Sequence, residues 1–153
     1  MIGLLNSLLA FSCFICIYVL HYFISTNSSI VFIAAFGASA VLGFSYKTSP
    51  FSFMQISVSS AVAAFIGVFF NSLGLALGVA VPLCIGVVIF LMHTLKISYP
   101  PAGAIAIIPL LFNKEIEGLG FWYVLYPTLT GVSIIYAFSI IKKKLNFIYN
   151  DRF

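Results

Sequence analysis

The stretch Ser98-Tyr99-Pro100-Pro101-Ala102-Gly103-Ala104 places two hydroxyl side chains at a helix break between two long apolar segments. Two adjacent prolines end a helix that arrives from upstream and preset the first turn of the next one. At membrane depth such breaks occur where protein or water satisfies the freed backbone groups, and transporters often build their binding sites from them. The stretch therefore predicts a solute-binding site.

Several groups at this break favour an anion as the ligand. A helix that begins at the prolines would direct its N-terminal N–H groups and the positive end of its dipole toward the site. Lys96 either attracts anions or extends to the lipid headgroups. The predicted binding residues are Ser98, Tyr99, Pro100, Pro101, Ala102 and Gly103. A proline-kinked helix with small residues for packing is the structural alternative.

A second small-residue cluster, Gly37-Ala38-Ser39-Ala40, is the candidate opposite wall. Gly37 would allow a second helix break, and Ser39 would add a hydroxyl group. Residues 37–42 match residues 103–108 at an offset of 66, and the flanking segments follow the same spacing. The sequence therefore predicts an inverted repeat with two broken helices, and binding residues at Gly37, Ala38 and Ser39. The alternatives are a chance match of the two stretches, since Gly and Ala are frequent in membrane helices, and a cluster that serves only close helix packing.

The composition indicates an all-α membrane protein. Of the 153 residues, 63% are hydrophobic and 7% are charged, whereas a soluble domain has about 25% charged residues. The apolar segments cover residues 3–24, 30–46, 53–70, 73–95, 101–112 and 121–141. We expect a single domain over residues 1–153 with four to six membrane-embedded helices. Segments 30–46 and 101–112 either span or re-enter, and we favour six crossings.

The basic residues indicate the orientation. Lys142, Lys143, Lys144 and Arg152 cluster near the C-terminus, which predicts a cytoplasmic tail that touches anionic headgroups of the cell (inner) membrane. With six crossings, Lys47 and Lys96 fall on that same side. Because the basic residues form no extended face, nucleic acid is excluded as a partner.

The ionisable residues do not form a catalytic or metal-binding pattern. No Asp or Glu lies in any apolar segment, which argues against a carboxylate proton relay and favours an anion or a neutral solute. No metalloprotease motif, phosphate-binding loop or nucleophile with a His–acid pair is present. We therefore expect no enzyme activity, no metal and no cofactor.

Gly74, Gly78 and Gly86 predict a close-packing face on the fourth segment. Their spacings of four and eight residues include a G-x-x-x-G pattern. Such faces bring two helices into close contact, either within one chain or between two copies. A homo-oligomer through this face is therefore one expectation.

Three motifs together resemble the HPP family of integral membrane proteins, which is named for a His-Pro-Pro motif. They are Phe36-Gly37-Ala38-Ser39-Ala40-Val41-Leu42, Ser49-Pro50 and Tyr99-Pro100-Pro101-Ala102-Gly103-Ala104. Tyr99 stands where the family has its naming histidine, so the chain resembles a divergent member. The basic residues that usually follow Ser49-Pro50 are also missing. The resemblance implies four spans and, since some members are linked to nitrite transport, a small-anion transporter.

These observations predict a transporter or channel for a small solute, with a small anion such as nitrite as the expected one. Two other functions are also consistent with parts of this sequence pattern. A structural or regulatory membrane subunit without a solute would explain the glycine face and the missing basic residues. A carrier of a neutral or cationic solute would keep the site but use backbone carbonyl groups.

Overall fold

The computed structural model of the chain describes residues 2–24, 29–46, 51–111 and 118–150. These residues form six α-helices and, within the described ranges, no β-strand. The helices are α1 (Ile2–Ile24), α2 (Ser29–Ser45), α3 (Phe53–Ser72), α4 (Leu77–Leu95), α5 (Ala102–Leu111) and α6 (Thr130–Asn150). The predicted all-α architecture is confirmed. Ser49-Pro50 and Arg152 lie outside the described residues.

Four helical segments are long and apolar enough to cross a membrane. They are Gly3–Leu20, Phe53–Ser72, Leu77–Leu95 and Val124–Ile148. Helix α5 has 10 residues and reaches only about 15 Å, half of a ~30 Å hydrocarbon core. The four long segments agree with the span number that the resemblance implied. All six predicted segments contain a helix, and α5 is too short to cross a membrane alone.

The chain enters α3 through a capping box. The Ser52 side chain accepts a hydrogen bond from the Gln55 backbone N–H at 3.3 Å, and the Ser52 N–H donates to Gln55 Oε1 at 3.0 Å. This reciprocal pair satisfies two backbone donors that the first helical turn would leave free. The start of α3 is thereby fixed next to the candidate site.

The helix break before Pro100 is confirmed, since α4 ends at Leu95 and α5 begins at Ala102. Lys96 ends α4 in the left-handed conformation, with φ 56° and ψ 34°. Its N–H donates to the His93 carbonyl at 3.2 Å, and the Ile97 N–H donates to Met92 at 3.1 Å. This hydrogen-bond pair is a Schellman motif, which turns the chain sharply out of α4.

The second predicted break, at Gly37, is wrong. Helix α2 runs without interruption through this residue, from Ser29 to Ser45. A glycine in a helix costs about 1 kcal/mol relative to alanine but keeps its backbone N–H, so it does not end the helix as proline does. A Cβ at Gly37 would meet nothing within 4 Å, so no neighbour approaches closely there either.

Helices α1–α3 form one half of the chain and α4–α6 form the other. In each half the third helix packs against the first two helices of the other half. Helix α1 packs against α2 and α6, and α4 packs correspondingly against α5 and α3. Helix α2 packs on α6, and α5 packs on α3. The pattern is unchanged when α1–α3 and α4–α6 are interchanged, as a structural repeat of three helices requires.

Glycines make close contacts in the corresponding helix pairs of the two halves. A Cβ at Gly67 of α3 would overlap the Ala106 carbonyl of α5, and a Cβ at Gly131 of α6 would overlap the Phe36 ring of α2. These two glycines, rather than those of α4, make the close helix contacts. Small residues commonly permit such approaches between membrane helices.

The predicted glycine face on α4 is wrong in part. Gly74 lies in the turn before α4, with φ +62°, so it shares no helix face with Gly78 and Gly86. The left-handed turn uses the conformational freedom of Gly74 instead. Gly78 and Gly86 are exposed, and a Cβ at either would meet nothing within 4 Å. They make no close contact within the described chain.

The last span is kinked near its start. Tyr126 adopts φ −130° and ψ 125° inside the segment Val124–Leu129, just before Pro127. Helix α6 then continues to Asn150, nine residues beyond the predicted end of the segment. Proline explains the interruption, because it has no N–H to donate to the preceding turn.

Candidate functional site

A small cavity lies where the helix break meets α2, α3 and α6. Its volume is about 10 Å³, which is close to the space that one water molecule needs. Its lining residues are Ser39, Leu42, Gly43, Phe51, Ile56, Tyr99, Val132, Ile135, Tyr136 and Ser139. Four of these side chains carry hydroxyl groups, and none is charged. The cavity is therefore a small polar site in an apolar surrounding.

Ser39 and Tyr99 come from the two separate clusters that the sequence singled out, and both line this cavity. Each is only 2% exposed. The two hydroxyl groups are neighbours. Ser39 Oγ nevertheless makes no hydrogen bond of good distance and angle within the described part of the chain. A buried hydroxyl without a full partner is costly and is usually satisfied by water or a ligand.

The other predicted binding residues do not line the cavity. Their positions differ: Ala38, Ser98 and Pro100 are exposed, Gly37 and Gly103 are half-buried, and Pro101 and Ala102 are buried. Lys96 is exposed. Of the predicted residues, the structure thus brings Ser39 and Tyr99 together at the cavity.

The free N–H groups expected at the start of α5 are already used. The Ala102 N–H donates to the Tyr99 carbonyl at 3.0 Å, and the Gly103 N–H donates to Pro100 at 3.2 Å. The Ala104 N–H donates to Pro101 at 3.1 Å. The expectation of open backbone donors is wrong, because the tight turn at the two prolines satisfies them locally. Side-chain hydroxyl groups remain as the polar groups of the site.

Two contacts hold the helix break in place, and sequence reasoning missed both. The Ser59 hydroxyl of α3 donates a short hydrogen bond to the Ile97 carbonyl. The Phe51 and Tyr99 rings meet edge to face, with centroids 5.3 Å apart and an interplanar angle of 81°. Both rings also line the cavity, so their contact bounds it on the α3 side.

Pro109 inside α5 creates a backbone acceptor that Tyr123 satisfies. Proline has no N–H, so the Ile105 carbonyl loses its usual partner four residues later. The Tyr123 hydroxyl donates to this oxygen at 3.0 Å, and Tyr123 is buried. Tyr123 thus lies inside the protein, whereas its neighbour Trp122 is exposed.

Lys142 is buried and does not reach the lipid headgroups. Only 1% of its surface is exposed. Its ammonium donates hydrogen bonds to the carbonyl groups of Gly43 at 2.9 Å and Phe44 at 3.5 Å, and to that of Tyr46. The predicted headgroup role of Lys142 is therefore wrong: the side chain caps the C-terminal end of α2, where the helix dipole favours a cation.

Helical spacing could have revealed this lysine. Val132, Ile135, Ser139 and Lys142 follow one another at three- and four-residue steps, and all four are buried. They therefore share the inner face of α6. Lys143 and Lys144, the next two residues, are exposed as expected. Among the described residues, no group of three or more His, Cys, Asp or Glu side chains could hold a metal ion.

These features define a multi-pass helical membrane protein with a polar cavity at a helix break. The chain belongs to the HPP family, because the family's transmembrane region matches residues 2–150. It is 31% identical over 118 residues to a curated transmembrane protein of Dictyostelium discoideum. The aligned region covers 73% of this chain and 38% of that relative. The chain thus spans well under half of the relative's length. No solved structure matches significantly.

Proposed function

We propose that the chain is a membrane transporter or channel for a small solute, and that a small anion such as nitrite is this solute. The observation that carries the proposal is the buried, incompletely hydrogen-bonded Ser39 hydroxyl beside Tyr99 at the helix break. A site of this kind favours a polar ligand that can complete its hydrogen bonds. Membership in a multi-pass membrane family supports the same class of function.

The charge distribution supports an anion over a cation. The three acidic residues of the chain are Glu115, Glu117 and Asp151, and the four long apolar spans of the described residues contain none of them. The cavity is lined by hydroxyl groups, which can donate hydrogen bonds to an anion. A cation would need carboxylates or several free carbonyl groups instead.

The cavity volume indicates that this conformation is closed. A space of about 10 Å³ holds about one water molecule, and nitrite has three heavy atoms. Passage of nitrite therefore requires a movement of the residues around the cavity. Alternating conformations of this kind are usual for membrane carriers.

Flux into proteoliposomes tests the proposal. The purified protein is reconstituted, and uptake of nitrite, nitrate, formate and bicarbonate is compared with that of empty vesicles. We expect saturable nitrite uptake that is lost in Pro101→Leu, because the break positions Tyr99. Pro82→Leu is the matched control, since Pro82 is an exposed proline of α4 outside the cavity. No uptake of any of these anions by folded protein would refute the proposal.

The exposed glycines of α4 favour a second candidate, a non-transporting membrane subunit. Gly78 and Gly86 lie on the surface with open space around them, which would suit a closely packed partner helix or a second copy. Crosslinking in membranes through Gly86→Cys tests it. A specific crosslinked species together with absent flux would favour the subunit.

We further propose a location in the cell membrane, a cytoplasmic C-terminus and no enzymatic activity. Lys143 and Lys144 support this orientation, since both are exposed near the end of α6 and the positive-inside rule places such residues in the cytoplasm. Labelling of Lys144→Cys with a membrane-impermeant thiol reagent tests the orientation. Labelling in inverted vesicles but not in intact cells is expected, and the reverse would overturn it.

A further inference from the structure

We propose that the buried ammonium of Lys142 sets the charge selectivity of the cavity by making it electropositive. This inference rests on the proposed function, because it assigns a residue to the preference for anions. Lys142 does not line the cavity, so it acts through the electric field and through the groups it holds, and not as a direct ligand.

The charge of Lys142 is only partly balanced. The partners of its ammonium are the carbonyl groups of Gly43, Phe44 and Tyr46, all of them neutral groups. The C-terminal end of a helix carries roughly half a negative elementary charge. In the described ranges no carboxylate faces the lysine, since the three acidic residues, at positions 115, 117 and 151, lie outside them. The end of α2 therefore offsets part of this positive charge, and no carboxylate of the described residues offsets the remainder.

Two residues connect this charge to the cavity. Gly43 lines the cavity and also offers its carbonyl oxygen to Lys142 at 2.9 Å. Ser139 lines the cavity and lies three residues before Lys142 on the same buried face of α6. The ammonium is thus hydrogen-bonded directly to a residue that lines the cavity. In a medium of low dielectric constant, a charge next to the residues that line the cavity acts strongly on an ion inside it.

Capping of α2 alone would not require a charge. Helix C-terminal ends are commonly closed by backbone motifs with glycine or asparagine, whereas burying an ammonium carries a large desolvation penalty. Ionisable residues inside membrane segments are rare and usually belong to ion pathways. A cation next to a hydroxyl-lined cavity at the helix break fits such a pathway.

The test compares the uptake of nitrite and of rubidium in proteoliposomes. Lys142→Gln removes the charge but keeps N–H donors for the α2 carbonyl groups, and we expect the nitrite-to-rubidium ratio to fall roughly tenfold. Lys142→Arg should preserve the ratio. Lys143→Gln is the matched control, because it removes an exposed charge one residue away. Thermal unfolding of each variant establishes that it is folded.

A second variant provides a test if Lys142→Gln does not fold. Ser139→Asp leaves the lysine in place and adds a negative charge to the cavity wall, so the ratio should fall there as well. A wild-type ratio in folded Lys142→Gln, or in Ser139→Asp if the first variant does not fold, would overturn the inference while leaving transport intact. If the wild-type protein transports neither ion, the proposed function fails, and this inference fails with it.

Discussion

The rings of Phe51 and Tyr99 meet edge to face, with centroids 5.3 Å apart, and both line the small cavity at the helix break. Phe51 lies just before α3, whereas Tyr99 lies between α4 and α5. The contact therefore links two elements that bound the cavity, and their separation would enlarge it. Aromatic pairs of this geometry contribute about 0.5–1.5 kcal/mol.

Phe51→Ala should therefore open the site. We expect a severalfold increase in nitrite uptake by proteoliposomes, because the alanine removes the ring contact that favours the closed state. Phe65→Ala is the control, since Phe65 and Phe121 form a similar pair at 5.2 Å outside the cavity. Equal changes in both variants, or a loss of uptake only in Phe51→Ala, would contradict a closing role.

Two glycines should differ sharply in their tolerance of alanine. Gly131→Ala should destabilise the protein by about 1–3 kcal/mol, because the new Cβ would overlap the buried Phe36 ring. Gly37→Ala should leave stability unchanged or raise it by up to about 1 kcal/mol, since its Cβ meets open space within α2. Unfolding of both variants in mixed micelles by sodium dodecyl sulfate measures the difference. Similar losses in both would contradict the contact at Gly131.

Tyr123 and Pro109 should be energetically coupled through the Ile105 carbonyl. Tyr123→Phe removes the donor to this oxygen and should cost roughly 1–2 kcal/mol. In a Pro109→Ala background the residue at position 109 gains an N–H that can donate to the same oxygen. The cost of Tyr123→Phe should then shrink by more than half. A double-mutant cycle of unfolding free energies measures this coupling, and a value near zero would contradict it.

Lys96 should hold a strained backbone conformation. Its φ of 56° is left-handed, which costs a residue with a side chain about 1 kcal/mol relative to glycine. Lys96→Gly should therefore raise the free energy of unfolding by about that amount. Lys96→Ala removes the same charge without relieving the backbone, and it should give no such gain. Equal stabilisation by both substitutions would assign the effect to the charge instead.

The elements that depend on local chemistry were predictable from the sequence. Pro100 and Pro101 predict the break between α4 and α5, because proline has no backbone N–H to donate and its ring clashes with the preceding turn. The apolar segments likewise give five of the six helices to within a few residues of their observed bounds. Gly37 was misjudged because glycine only weakens a helix and does not interrupt it.

The remainder of the site depends on contacts between distant parts of the chain. Lys142 looks like its neighbours Lys143 and Lys144 in the sequence, and only the packing of α6 on α2 distinguishes it. The role of Tyr123 likewise follows from the position of Pro109, 14 residues earlier. Ser39 and Tyr99 lie in two separate sequence motifs, and the fold brings them to one cavity.

The central claim is that solute passes the hydroxyl groups of Ser39 and Tyr99, and nitrite uptake by two conservative variants tests it most directly. Ser39→Ala and Tyr99→Phe each remove one hydroxyl group and leave the helix break in place. Ser60→Ala is the matched control, because Ser60 is a fully buried serine without a hydrogen-bond partner among the described residues and lies outside the cavity. We expect a loss of at least tenfold in both cavity variants and wild-type uptake in the control. Wild-type uptake in folded Ser39→Ala and Tyr99→Phe would contradict the account.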